Sequence, residues 1–241
     1  MAAVEMATPA RKSVRAWDLP TRLFHWSLVL LIFCAWLSRE FAAKLGDDTL
    51  LWHRWNGYAI LVLLVFRVIW GFLGSSTSRF SAFIRWPWVA LGYLRDLATG
   101  KDRHYLGHNP MGSWMIVALL SAVVAQALMG LYLMDDDGNL AGPLKRTVSD
   151  DFAIMLGHWH AKWFNVILLL VAIHILANSA YAIFKKDPLI KAMVTGRKPV
   201  DDYLDQKEAV VLANVNLKAL GCLVVAAAIV FGGILALGGR F

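Results

Sequence analysis

The chain has 241 residues, of which 59% are hydrophobic and 17% charged, with a formal net charge of +7. Soluble domains carry about 25% charged residues, so the composition excludes an ordinary soluble enzyme. Several apolar runs reach the roughly 20 residues that cross a hydrocarbon core as helix. One membrane domain is expected, without a separate soluble domain.

The opening stretch, MAAVEMATPARKSVRAWDLP, has no apolar run before Trp17, and Glu5 and Pro9 interrupt it. It does not read as a cleaved signal peptide. Residues 1–20 are expected to form a cytoplasmic tail. Membrane helices are predicted over 21–41, 51–73, 110–134, 156–184 and 216–237. Between the second and third, residues 85–98 (RWPWVALGYLRDLA) are amphipathic and too short to span. They are expected on the membrane interface, anchored by Trp86 and Trp88. Asn109-Pro110 reads as a helix cap followed by a first-turn proline. The run DDDGN over 135–139 reads as a turn. Residues 197–208 read as a polar linker, and the Ala-, Val- and Gly-rich last helix is suited to close packing. Trp26, Trp36, Trp52, Trp55, Trp70 and Trp163 are expected mostly in interface belts.

Loop charges orient the chain. Arg11, Lys12, Arg15 and Arg22 precede the first helix. Arg79, Arg85, Arg95, Lys101 and Arg103 lie between the second and third, and Lys185, Lys186, Lys191, Arg197 and Lys198 follow the fourth. The opposite loops hold Lys44, Lys145 and Arg146. The excess of cations on one side predicts a cytoplasmic N-terminus and a periplasmic C-terminus. It also explains the positive net charge without nucleic acid as a partner.

Seven histidines carry the chemistry: His25, His53, His104, His108, His158, His160 and His174. His174 sits deep in the fourth predicted helix, where an unsatisfied imidazole costs several kcal/mol. At about 100° per residue, His160 and His174 are 14 steps apart and lie about 40° from each other on one face. His158 and His174 are about 160° apart, so His160 rather than His158 shares the face of His174. Fourteen residues rise about 21 Å, a separation that suits two flat cofactors stacked through a core of roughly 30 Å. His25 matches the level of His174, and His53 the level of His160. The arithmetic yields two bis-histidine pairs, His25 with His174 and His53 with His160.

A single membrane histidine is commonly an interhelical hydrogen-bonding group, but four that pair by height point to a cofactor. Zinc takes three or four protein ligands, and each pair supplies two. Bis-imidazole haem fits, with no open iron position, which favours electron transfer over oxygen chemistry. The sequence has no C-x-x-C-H, so covalent c-type haem is excluded. Cys34 and Cys222 are too few for an iron–sulfur cluster. The expected cofactors are therefore two non-covalent b-type haems (protohaem IX). Arg67 lies 14 residues after His53 and reaches the inner haem level, as either a haem-propionate partner or a snorkelling side chain. Arg22 and Arg54 are further propionate candidates. His104 and His158 read as interface residues, and His158 also as an outer proton or partner contact.

Five segments together resemble the bacterial cytochrome b561 family, which includes the b-type cytochrome subunit of Ni,Fe-hydrogenases. They are VRAWDLPTRLFHWSLVLL around His25, HRWNGYAILVLLVFRVIWGF from His53, YLGHNPMGSWMIVALL opening the third helix, GPLKRTVSDD before HAKWFNVILLLVAIHILA, and the closing MVTGRK. The resemblance covers roughly residues 14–198. It implies an all-α integral membrane fold, a four-helix di-haem transmembrane bundle at 21–198, with an additional C-terminal transmembrane helix after a linker within 199–241. It implies haem ligation by His25, His53, His160 and His174, the four that the angular argument reaches. One departure is Ala161, where the family commonly has Glu after its histidine.

The resemblance also implies exchange of electrons with membrane quinone. The expected function is electron transfer across the bacterial inner membrane between a periplasmic-side redox partner, a cytochrome or hydrogenase-like subunit, and the quinone pool. His108 and Asn109, at the mouth of the third helix, are the quinone-site candidates, with helix capping as the plainer role. Such a chain is an electron-transfer subunit of an oxidoreductase. A self-contained superoxide:quinone oxidoreductase is the alternative, and the acidic DDDGN turn argues mildly against it. A non-haem transporter or assembly protein would show inverted repeats or broken helices, and neither is visible.

Overall fold

Asp18 opens the first span as its N-cap, accepting from Thr21 N–H at 2.8 Å, and Pro20 follows in the first turn. In the computed structural model, which describes residues 13–41, 44, 48–101 and 103–241, this helix, α1, runs Leu19–Glu40. Arg11, Lys12 and the rest of the tail before Ser13 lie outside the described residues. Helix α2 follows at Asp48–Leu73, then a short α3 at Phe80–Phe83 and the amphipathic α4 at Pro87–Ala98. Helix α5 spans Pro110–Tyr132 and α6 spans Asp150–Phe184. A short α7 at Leu189–Thr195 leads to the last span, α8, at Val215–Ala236. Among the described residues, five helices (α1, α2, α5, α6 and α8) are long and apolar enough to cross a membrane.

The start of α6 is earlier than the predicted 156. Ser149 accepts from Phe152 N–H, and Asp150 and Asp151 occupy the first turn, where carboxylates complement the helix dipole. Asp150 and Asp151 interrupt the apolar pattern there, which is why the hydropathy reading began later. At 35 residues, α6 is about 52 Å long, well past a core of roughly 30 Å.

Helix α2 is the hub. It packs against α1, α5 and α8, whereas α5 and α6 form their own close pair. Tyr58, Leu61, Val62, Phe66 and Trp70 of α2 build a core with Phe24 of α1 and with Ala219, Ala226, Val230 and Ile234 of α8. The small residues of α8 allow close approach of backbones. A second core lies at mid-membrane, formed by Ile60, Leu64, Ala122, Val123 and Ile167. Side chains such as Leu30, Val224 and Leu176 are 60%, 61% and 68% exposed. An apolar surface that broad suits lipid rather than water. The molecule is an all-α integral membrane bundle.

The basic end of the bundle is closed by a sewn cap. Strand β1, Ser13–Arg15, pairs antiparallel with β2, Arg197–Pro199, and Ala16 and Trp17 N–H both donate to Gly196 O. The segment read as a linker is tied down along its length. Asp205 accepts from Leu106 N–H at 2.7 Å and Gly107 N–H at 3.0 Å. Val210 N–H donates to Ser76 Oγ at 2.9 Å. Lys198 is buried and ion-paired with Asp187 at 3.0 Å. At the opposite end, residues 135–139 form the expected turn, flanked by a bridge between Met134 and Ala141. Trp86, which caps α4, and Trp88 in its first turn stack and stand exposed, in keeping with interface anchoring. Trp70 departs from the belt pattern. It is fully buried and donates to Asp18 Oδ2 at 3.3 Å. Trp163 also points inward, donating to Ala122 O at 2.9 Å.

Candidate functional site

His53 and His160 meet at the end of the bundle opposite the cap. Their ring centroids lie 6.2 Å apart with planes at 77°. His53 Nδ1 donates to Ala35 O at 2.9 Å, with Ser38 Oγ at 3.3 Å. His160 Nδ1 donates to Gln126 O at 3.0 Å, and Gln126 Nε2 donates back to His160 O at 3.0 Å. A carbonyl only accepts, so each Nδ1 carries its proton and each Nε2 keeps a lone pair. Such outer hydrogen bonds fix the tautomer and orientation of metal-binding imidazoles.

The spacing suits one metal ion between the rings. Two imidazoles that each bonded one ion through a ring nitrogen at about 2.0–2.1 Å would have centroids up to roughly 6.3 Å apart, so His53 and His160 would fit such an ion. Gly130 of α5 lies flush with this pair, since a Cβ there would be 3.3 Å from His160 Cε1.

His25 and His174 both lie at the capped end, within electrostatic reach of each other. His25 Nδ1 is shielded and has no hydrogen-bond partner among the described residues. Asn178 Nδ2 donates to His174 O at 2.7 Å and lies 3.2 Å from His174 Nε2. The two histidine levels are separated by the mid-membrane core. Ile167 stands seven residues from both His160 and His174, and Ile60 stands seven from both His53 and Arg67. Both isoleucines are buried, which keeps water from the space between the levels. Helices α1 and α6, which carry His25 and His174, do not pack closely on each other. Their side chains converge on the same mid-membrane core.

The arginines separate. Arg67 is 4% exposed at the inner level, its guanidinium 4.8 Å from the Phe80 ring and 5.8 Å from Phe83, with Nη1 unpartnered. Arg54 reaches Ala141 O at 3.4 Å, at the opposite end. Arg22 donates to Val194 O and lines a cleft with Arg15 and Arg197. The sequence reading passed over Arg39, which stands 14 residues after His25 and within electrostatic reach of His53. The signal was available, because Arg67 bears the same 14-residue relation to His53.

His108 is half-buried beneath the inner level. Its ring lies 4.5 Å from that of Trp17 and 4.9 Å from Phe83, and its Nδ1 is shielded without a partner. Burial lowers its pKa to about 3, helped by the charges of Arg67 and Lys198 and by His174 and His25. Asn109 caps α5, accepting from Gly112 N–H at 2.7 Å. Tyr181 OH lies 2.8 Å from Tyr93 OH. The two tyrosines were not singled out from sequence, because only the fold brings Tyr93 of α4 to Tyr181 of α6. His104 pairs with Asp201, holding that carboxyl below its usual range, and His158 pairs with Asp136 at 3.0 Å. Both pairs are solvent-facing.

Comparison with known proteins gives a consistent family. A family model described as prokaryotic cytochrome b561 matches residues 16–196. The chain is 22% identical over 219 residues to a probable Ni/Fe-hydrogenase B-type cytochrome subunit of Bradyrhizobium diazoefficiens, covering 80% of this chain and 88% of that one. It is 22% identical over 225 residues to the like-named protein of Rhizobium leguminosarum bv. viciae, covering 81% and 92%. For the like-named protein of Cupriavidus necator the identity is 25% over 230 residues, covering 82% and 93%.

Proposed function

We propose that this chain, which belongs to the prokaryotic cytochrome b561 family and is a membrane b-type cytochrome, holds two b haems and passes electrons through the membrane between a redox partner protein and quinone. The observation that carries this reading is the His53–His160 pair, 6.2 Å apart with both Nδ1 atoms anchored by main-chain carbonyls. His53 and His160 would hold the outer haem, and His25 and His174 the inner one. Bis-imidazole haem supplies a one-electron carrier with no open iron position.

The chain's own side chains support each role. Ile60, Leu64 and Ile167 exclude water between the two levels. Arg67 offers a desolvated guanidinium at the inner level, and Arg39 a more exposed one at the outer level, suited to haem carboxylates. Asn178 would release His174 Nε2 on ligation and keep its bond to His174 O. Quinone would bind beside the inner level. His108 presents a ring nitrogen there that has no partner among the described residues, while the hydroxyls of Tyr181 and Tyr93, 2.8 Å apart, can relay protons.

The relatives are named as hydrogenase cytochrome subunits, so a hydrogenase-like subunit is the partner proposed here, docking at the face opposite the cap. With the basic end in the cytoplasm, that face is periplasmic and the membrane is the bacterial inner membrane. Self-contained superoxide oxidation is disfavoured by Asp135, Asp136 and Asp137 near the outer histidines, since they repel an anion.

The test uses the full chain purified in detergent. A reduced-minus-oxidised b-type spectrum with two haems per chain, reducible by a quinol analogue, is the expected result. One haem per chain, or reduction by superoxide but not by quinol, overturns the reading.

A further inference from the structure

We propose that the cleft between the start of α1, the α7–β2 turn and the start of α8 binds the phosphate headgroup of an anionic membrane phospholipid. The cavity measures about 240 Å³, and its polar wall includes Arg15, Arg22 and Arg197 beside Thr195 and Asn216. Its apolar wall includes Leu19, Val211 and Val215. A second cleft adjoins it through Arg15, Val211 and Val215 and continues along Leu212 and Leu217.

Three guanidinia in one cleft repel each other unless an anion lies among them. Among the described residues, none of the three has a carboxylate ion-pair partner. Asp18 also lines the cleft, but it is buried and already accepts from Thr21 N–H, Ser78 Oγ and Trp70 Nε1. Glu208 is turned to Arg15 N–H at 3.3 Å. Arg22 keeps a shielded Nε with no partner among the described residues, while its Nη2 is held by Val194 O. Arg197 Nη1 lies 3.2 Å from Ser13 Oγ. Gly196 makes room for this arrangement, because its φ is +79° and a Cβ there would stand 2.9 Å from Trp17 O and 3.0 Å from Arg22 Nη1. Guanidinium forks match a phosphodiester in shape as well as charge.

The depth selects a lipid over a free anion. The cleft lies where two spans begin, α1 at Leu19 and α8 at Val215, which is the headgroup level. Its apolar continuation along α8 suits a glycerol backbone and acyl chains. Basic pockets between membrane helices bind anionic headgroups in this way. The family match ends at residue 196, so the site spans the seam between the family's bundle and the additional helix. Lipid bound there would clamp α8 to α1.

The test is native mass spectrometry of the full haem-loaded chain in detergent, titrated with phosphatidylglycerol or phosphatidylcholine. Phosphatidylglycerol should bind preferentially. Arg15→Gln and Arg197→Gln should each weaken it roughly fivefold, and the double variant roughly thirtyfold, with the haem spectrum unchanged. Equal binding of phosphatidylcholine, or full affinity in the double variant, overturns the proposal. Displacement of phosphatidylglycerol by millimolar inorganic phosphate also overturns it, since the site would then take a free anion.

Discussion

His53 on α2 and His160 on α6 hold their rings 6.2 Å apart, each tethered at Nδ1 by a carbonyl from a different helix, Ala35 of α1 and Gln126 of α5. Four helices thus converge on one pair of imidazoles. His158, two residues away, bonds Asp136 instead. His160→Ala should therefore remove one haem per chain, and His158→Ala should remove none. The haem-to-protein ratio checks this, and loss of haem in His158→Ala would refute the pairing.

His174→Ala should remove the inner haem and leave the outer one. The two levels share α6 but are separated by the buried Ile167 core, so a change at one should not propagate to the other. Spectral titration of the remaining haem is the measurement, and loss of both haems would count against independent sites.

Arg67→Gln removes a buried positive charge beside the inner level. Reduction adds an electron, so the missing cation should make the inner haem harder to reduce. A downward shift on the order of tens of millivolts is expected in its midpoint potential, given 59 mV per tenfold for one electron. The outer haem should not move. An unchanged inner potential would mean that Arg67 serves packing with Phe80 and Phe83 alone.

Gly130→Val tests the space beside the outer pair. A Cβ at Gly130 would already lie 3.3 Å from His160 Cε1, and a branched side chain presses further on the ring. The outer haem should be lost or its spectrum broadened, with Gly130→Ala milder and the inner haem normal in both. Retention of a normal outer haem in Gly130→Val would show that the ring has room to shift.

By itself the sequence determined which five stretches are long and apolar enough to span, their order, and the face and height of each histidine along its own helix. Those are local properties: hydropathy sets the spans, and 14 residues at 3.6 per turn set face and height along one helix. The same rule would have found Arg39 from His25. Tertiary structure decided the rest, because interhelical distances have no trace in the period of any single helix. Only packing brings Tyr93 to Tyr181, buries Trp70 on Asp18, and sews the segment after β2 across the basic end. It also decides that Ala35 and Gln126, unremarkable in sequence, hold the two outer imidazoles in place. The main-chain carbonyls that orient them exist at every residue, and only the fold selects which ones face a histidine.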